Sequence, residues 1–387
     1  MALNTVSSDR LSTNVKNTNF TAAEKQDLTD DIKPLLGSSG GGNKNKIING
    51  SMIVSQRGTS FAAANNIYTL DRFRLNGSHD GAVTISQSTT SPDGFSKSFK
   101  VDVTTADTSI AAGQYIQINN RVEAQDLQDL AYGTSAAKTI TVSFYVRSNL
   151  TGTYTFAMQQ PDNSSKQVSQ TYTINSANTW ERKTFTFAGD TSGVINDDNG
   201  TGFHLYWNLA IGSTYTTGTS RAAWTGYSNA DFAAGHTANL LSSTSNEFYL
   251  TGIQLEVSSV VTEFDHASFT DELKRCQRYY YVVADARDDG STGQLALGFA
   301  YHAGQAETTI HYPVMRSAPS LVQATGTDYY GAYNNGSNDT FNSFLFYQPS
   351  PRVALLYQQG LSGLTQGQAY RLQFANDNAY IHLSAEL

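Results

Sequence analysis

Charge is scarce in this chain. Asp, Glu, Lys and Arg supply 15% of its 387 residues, against about a quarter in an ordinary globular domain, and the balance is a net −8. An acidic chain with no basic stretch beyond Lys44 and Lys46 has little to neutralise a run of phosphates, so no nucleic-acid partner is expected. Cysteine is almost missing. The single Cys276 excludes an internal disulfide, and among apolar residues at helical spacing it reads as a small buried hydrophobe rather than a nucleophile. No run of 18 apolar residues occurs, and the opening MALNTVSSDR has no basic stretch followed by an apolar one; neither membrane insertion nor an export signal is expected. P-loop, HExxH, GxSxG and CxxC patterns are also absent, and the 7 histidines are scattered without metal-ligand spacing.

What is present points to β-structure. Hydrophobic residues make up 39% of the chain and aromatic residues 11%, enough to build cores, while Ser, Thr, Asn, Gly and Gln fill the places charge leaves. Short alternating runs separated by Gly, Ser and Asn turns give candidate strands throughout, among them Met52–Ser55, Tyr68–Leu75, Ile116–Arg121, Glu181–Phe187, Phe203–Ile211 and Phe248–Val257. The expected fold class is all-β: a jelly-roll β-sandwich followed by a second, smaller β-sandwich, preceded by an N-terminal extended arm and a short helix.

Five segments follow. Residues 1–36 form an arm and a helix that opens on the capping box Thr21–Glu24 and carries Leu28, Ile32, Leu35 and Leu36 on one stripe. A lone helix of this length is marginal in water, so those four residues are candidates for assembly or attachment. Residues 37–46 are a Gly-rich linker. Residues 47–265 are the larger sandwich, 266–280 a connecting helix capped at Ser268, and 281–387 the second β domain. Along Phe248–Val257 the period-two reading sets Phe248, Leu250, Gly252, Gln254 and Glu256 on one face, with Glu256 making a contact at the strand's end.

Three separated motifs occur in order: SQRGTSF (Ser55–Phe61), YTLDRF (Tyr68–Phe73) and GIQLEV…TEF…DELKRCQRYY, ending at Tyr280. Together they resemble a carbohydrate-binding-module-like jelly roll of tailed-bacteriophage structural proteins, of the tail-fibre or head-fibre type. The YPVMRSAPS run (Tyr312–Ser320) and the terminal SAEL resemble the same family more weakly. The resemblance implies a virion surface protein, made in the host cytoplasm, joined to other virion proteins through residues 1–36 and associated as a homotrimer. It also implies a non-enzymatic role, with adhesion to a host surface glycan.

For glycan binding, the residues to look for are aromatic faces beside amides. Trp224 and Tyr227, in the polar stretch between Gly212 and Leu241, and Tyr206, Trp207 and Asn208 on one strand are the candidates, with Gln159 as a polar neighbour. Alternation places Tyr206 and Trp207 on opposite faces. No catalytic pair of carboxylates is legible; a polysaccharide depolymerase is the alternative. No cofactor is expected, although Asp197-Asp198-Asn199-Gly200 offers oxygens to Ca²⁺ as well as being an ordinary turn.

Overall fold

The computed structural model describes residues 44–62, 66–162, 165–289, 294–334, 336–362 and 364–387. The expected arm and its stripe, Leu28, Ile32, Leu35 and Leu36, lie outside the described residues.

The chain builds two bodies of β-sheet. The first contributes β1 (Ser60–Ala62), β2 (Ile67–Tyr68), β3 (Phe73–Ser78), β4 (Ala82–Ser88), β5 (Ser98–Thr105), β6 (Tyr115–Glu123), β7 (Ile140–Ser148), β8 (Gly152–Gln160), β9 (Lys166–Ile174), β10 (Glu181–Phe187), β11 (Thr201–Ile211), β12 (Arg221–Gly226) and β13 (Glu247–Glu256). One sheet runs β1, β4, β5, β13, β7, β10 and the other β12, β9, β8, β11, β6, β3, β2. The described pairings are antiparallel, as in β11 against β6 and against β8. Between the sheets lies an apolar core that includes Phe73, Phe99, Phe144, Phe156, Phe203 and Trp207. This is the jelly-roll sandwich.

The second body follows α1 (Phe269–Gln277). It comprises β14 (Tyr280–Asp285), the short α2 (Ala286–Asp289), β15 (Gln294–His302), β16 (Gln305–His311), β17 (Ser320–Gln323), β18 (Tyr330–Asn334), β19 (Ser337–Phe341), β20 (Leu345–Tyr347), β21 (Val353–Gln359), β22 (Ala369–Phe374) and β23 (Tyr380–Ser384). A three-stranded sheet, β14, β23, β17, and a seven-stranded one, β19, β18, β22, β15, β16, β21, β20, enclose a separate core around Tyr330, Leu356, Leu372 and Ile381.

Several local expectations change. Met52–Ser55 is not a strand: Met52 has φ +61°, which breaks the extended path, and Asn49 instead accepts from the Val54 amide and donates to the Val54 carbonyl, both at 2.9 Å. Tyr68–Leu75 is two strands split by a turn at Arg72, φ +70°. In β13 the simple alternation fails. Phe248 and Leu250 enter the core, but so do Ile253 and Leu255, because a bulge between Thr251 and Gln254 in the pairing with β7 shifts the phase by one residue. Gly252 sits at that bulge with φ +61°, and a Cβ there would lie 2.8 Å from both the Phe95 and Tyr145 rings, so only glycine serves. Glu256, expected on the face of Phe248, is carried to the opposite phase. Its buried carboxylate accepts from the Thr262 amide at 3.0 Å and hydroxyl at 2.8 Å and lies 3.1 Å from Lys44 Nζ.

The end of the linker is seated rather than free: Asn45 donates to the Ile253 carbonyl at 2.9 Å and accepts from the Leu255 amide at 3.0 Å. The helix α1 is capped by Ser268, whose side chain accepts from the Asp271 amide at 3.1 Å. Its buried residues are Glu272 and Cys276. Leu273 is only half-buried, since Glu272 turns inward to accept from the Asn49 amide at 2.9 Å. Burial pushes the Cys276 thiol well up from its usual range, which leaves it protonated and inert.

The two bodies meet in a polar joint. Arg72 and Arg57 both bond Glu386, whose side chain is 5% exposed, and their guanidinium groups lie 3.5 Å and 3.6 Å from the ring centres of Tyr279 and Tyr280. Glu123, fully buried at its side chain, accepts from Arg278 Nη2 and from the Tyr279 hydroxyl, both at 2.6 Å. The turn Asp197–Gly200 belongs to this joint as well. Asp198 accepts from the Gly200 amide at 2.7 Å, and Asn199 donates to the Arg316 carbonyl at 2.8 Å.

Candidate functional site

The outward face of the seven-stranded sheet of the larger sandwich carries a polar lattice. On β6 the core takes Ile116, Ile118 and Val122, leaving Tyr115, Gln117, Asn119 and Arg121 outward. On β11 the core takes Phe203, Leu205, Trp207 and Leu209, leaving His204, Tyr206 and Asn208 outward. Pairing aligns these into rungs: Asn76, Gln117 and Asn208; Arg74, Asn119 and Tyr206; Arg121, His204 and Gln159.

A strap made from residues 213–220 and 227–239, on either side of the edge strand β12, lies over one half of this face. Arg221 donates to Asp231 through Nε at 3.0 Å and Nη2 at 2.8 Å, and Asp231 accepts from the Thr219 amide at 2.8 Å. The Thr219 amide, with Arg221 beside it, holds the Asp231 carboxyl below its usual range. Gly218 is the point of closest approach: a Cβ there would stand 2.1 Å from Asp231 Oδ1. Gln167 and Ser169 on β9 then donate to the Ser228 and Asp231 carbonyls at 3.1 Å and 2.8 Å. These bonds bring Phe232 down onto Tyr206, ring centres 5.1 Å apart.

At the edge of the strap an open pocket of about 150 Å³ is lined by Asn76, Tyr115, Gln117, Gln159, Tyr206, Ile211, Tyr215, Tyr227 and Phe232. Its aromatic rings brace one another edge to face: Tyr115 on Tyr215 at 5.8 Å and 80°, Tyr215 on Phe232 at 6.5 Å and 68°. Tyr227 stands at the rim, 43% exposed. Deeper in, Tyr206 donates to Gln159 Oε1 at 2.9 Å and accepts from His204 Nδ1, 2.7 Å away, which sets the imidazole as the Nδ1-protonated tautomer. Burial, aided by Arg121 and Arg74, pushes His204 down to about 3, so it is neutral and orients Tyr206. Gln117 Oε1 is shut off from solvent with no hydrogen-bond partner among the described residues.

Of the residues singled out by sequence, Tyr206 and Tyr227 come together in this pocket, with Gln159 beside them. Trp207 does not. Its side chain is fully buried between the sheets, against Phe73, Phe144 and Phe156 at 6.5, 5.7 and 5.3 Å, because it occupies the inward phase of β11. Asn208 shares Tyr206's phase but is covered; it is fully buried and donates to the Thr155 carbonyl at 3.3 Å, and Thr155 bonds the strap at Ala233. Trp224 sits on β12 rather than on an open loop. Its ring stacks on the core residue Phe203 at 5.4 Å and 12° and meets Tyr132 edge-on, which turns it away from the pocket. The stretch from Gly212 to Leu241 thus supplies the site through Tyr215, Tyr227 and Phe232. Asn76, Tyr115 and Gln117 went unnoticed in the sequence; their only signal was the outward polar phase of β3 and β6. The Asp197–Gly200 turn lies at the joint, and no group of three or more His, Cys, Asp or Glu suited to a metal occurs among the described residues.

No family model matches the chain, and no curated protein matches it. Solved structures with a similar course of chain include the enzymatically active domain of tailspike protein 4 of bacteriophage CBA120, at 10% identity and a TM-score of 0.30, where the match covers 56% of this chain and 22% of that one. They also include the family 11 carbohydrate-binding module of a Clostridium thermocellum cellulosomal cellulase, at 9% identity and TM-score 0.28, covering 51% and 95%. A xylan-binding domain from carbohydrate-binding family 22 matches at 14% identity and TM-score 0.26, covering 54% and 99%. Likenesses of this size assign neither ligand nor role to this chain.

Proposed function

We propose that the larger sandwich is a glycan-binding module and that the pocket around Tyr206 is where the sugar sits. The observation that carries this reading is the meeting of the exposed Tyr227 and the half-buried Tyr115 and Tyr215 rings with amide side chains, one of them an unpartnered buried acceptor, in an open pocket on a polar sheet face. Pyranose rings present apolar C–H faces edged by hydroxyls; the rings of Tyr227 and Tyr215 suit the faces, and Gln117, Gln159 and Asn76 suit the edges. None of the pocket's lining residues is a carboxylate. Glycoside hydrolysis ordinarily needs two, so the site is read as a binder rather than a depolymerase.

Tyr227→Ala tests it. Tyr227 is at the rim and outside the core, so the variant is expected to keep its melting temperature and lose about tenfold or more in affinity for a bound oligosaccharide, measured by calorimetry. Unchanged affinity would remove the pocket from the reading.

We also propose that the module is displayed on the surface of a tailed-phage particle as a homotrimer, attached through residues 1–36. The sequence motifs and the apolar stripe of that segment support this. So does the second sandwich, whose β15 and β20 expose Leu297, Phe299, Tyr301, Leu345 and Tyr347 on one sheet face, Leu297 at 76%, a patch of the kind that marks contacts between chains. The full chain is expected to run as a trimer in light scattering. Without residues 1–36 it is expected to stay folded yet fail to join particles; a monomeric full chain, or normal incorporation of the truncated one, counts against the proposal.

A further inference from the structure

Beside the tyrosine pocket, on the same sheet face, stand two guanidinium groups that no carboxylate among the described residues answers; Arg74 meets only the Tyr68 ring, 5.8 Å from its guanidinium carbon. Arg74 on β3 and Arg121 on β6 flank Asn119, the residue paired with both Arg74 and Tyr206. Arg121 is itself opposite His204. Elsewhere Arg57, Arg72, Arg147, Arg221 and Arg278 each have a carboxylate within 4.0 Å. Neither Arg74 nor Arg121 has an ion pair or a side-chain hydrogen bond among the described residues, and the Nε of each is shut off from solvent without a partner. Arg121 pushes Arg74 down from its usual value, second only to burial. Two like charges on one sheet face repel at a standing cost, and in a chain of net −8 carboxylates to neutralise them are abundant; among the described residues none is placed here.

The geometry points to an acidic glycan: we infer that the sugar chain bound at Tyr206 and Tyr227 carries an anionic group that sits between Arg74 and Arg121. Guanidinium forks match carboxylate and phosphate oxygens in pairs. Arg74 lies one rung from the pocket residue Asn76, roughly 7 Å along the strand, so one extended chain reaches both the arginines and the tyrosines. The shared chemistry is a compact oxyanion, from a uronic acid or from a phosphodiester-linked polyol. The inference rests on the glycan-binding reading and deepens it.

The test is an array of neutral and acidic oligosaccharides, including oligogalacturonate, its carboxyl-reduced counterpart and glycerol-phosphate oligomers. It is read with the unaltered protein, Arg74→Gln/Arg121→Gln, Tyr227→Ala and Arg352→Gln, the last removing a positive charge on the other sandwich. Acidic glycans are expected to bind at least about tenfold more tightly than neutral ones, with the preference lost in Arg74→Gln/Arg121→Gln and retained in Arg352→Gln. Since neither arginine has a side-chain hydrogen bond or ion pair among the described residues, and Arg74 meets Tyr68 only at 5.8 Å, the double variant should keep its melting temperature nearly unchanged. Whether the carboxylated or the phosphorylated arm binds tells which oxyanion the site takes. Binding confined to neutral glycans and lost in Tyr227→Ala overturns the anion inference while leaving the pocket reading intact. An equal loss in Arg352→Gln also overturns it, as an effect of overall charge. If no glycan of either kind binds, both readings fall.

Discussion

Glu386→Ala is expected to destabilise the chain by about 3–5 kcal/mol, the usual cost of leaving buried charge without its partner, and to separate its unfolding into two steps. Arg72, 2% exposed at its side chain, and Arg57, 10% exposed, both bond this carboxylate. Burial works to push Arg72 down, but Glu386 overrides it and holds the guanidinium above its usual range. Without Glu386, Arg72 keeps only the Arg121 carbonyl at 2.6 Å and the Tyr279 ring, and Arg57 keeps Asp71 at 3.8 Å. Each body has its own apolar core, so loss of the joint uncouples them without dissolving either. All 3 tryptophans, Trp180, Trp207 and Trp224, lie in the first body. Urea unfolding followed by tryptophan fluorescence therefore reports that body, and tyrosine circular dichroism reports both. A single coincident transition shifted by less than about 1 kcal/mol would show that the joint contributes little.

Trp207→Ala is the second large effect, a loss of about 3–5 kcal/mol. The indole contacts Phe144 across the sandwich and Phe156 and Phe73 on its own sheet, and no neighbour on a β-ladder can move in to fill the space it leaves. The outcome also decides between two roles. A ligand contact would cost affinity at constant stability, whereas a core residue costs stability first. Differential scanning calorimetry of Trp207→Ala against Tyr227→Ala separates them: a large fall in melting temperature for the first and almost none for the second. The reverse pattern would return Trp207 to the binding surface.

The motifs most legible in the sequence lie mainly at the joint and not at the pocket. Gln56 and Arg57 of SQRGTSF, Asp71 and Arg72 of YTLDRF, Arg278 to Tyr280 of the connecting segment and Glu386 of the terminal SAEL interlock there. Gln56 donates to Asp71 Oδ1 at 2.6 Å and to the Tyr280 carbonyl at 2.9 Å. Buried charges need specific partners in specific places, which makes such stretches distinctive as strings. A glycan-binding face needs only aromatic and amide side chains at outward phases of several strands, and in a chain rich in both it leaves no string to recognise.

The sequence by itself determined that this is an all-β protein of two bodies, because period-two alternation and the placement of turn residues are local properties. It also determined that Tyr206 and Trp207 face opposite ways, since that follows from the pleat alone. Only the tertiary structure decided which of the two faces the core. The phase of a strand is set by its partner across the sandwich, and in β13 a bulge at Gly252 reverses that phase midway. It was likewise the tertiary structure that brought Tyr115, Gln159, Tyr206 and Tyr227 from four separate parts of the chain to one pocket and stood Arg74 and Arg121 beside it. Strand order and the path of the strap bring these residues together, and no spacing along the chain encodes either.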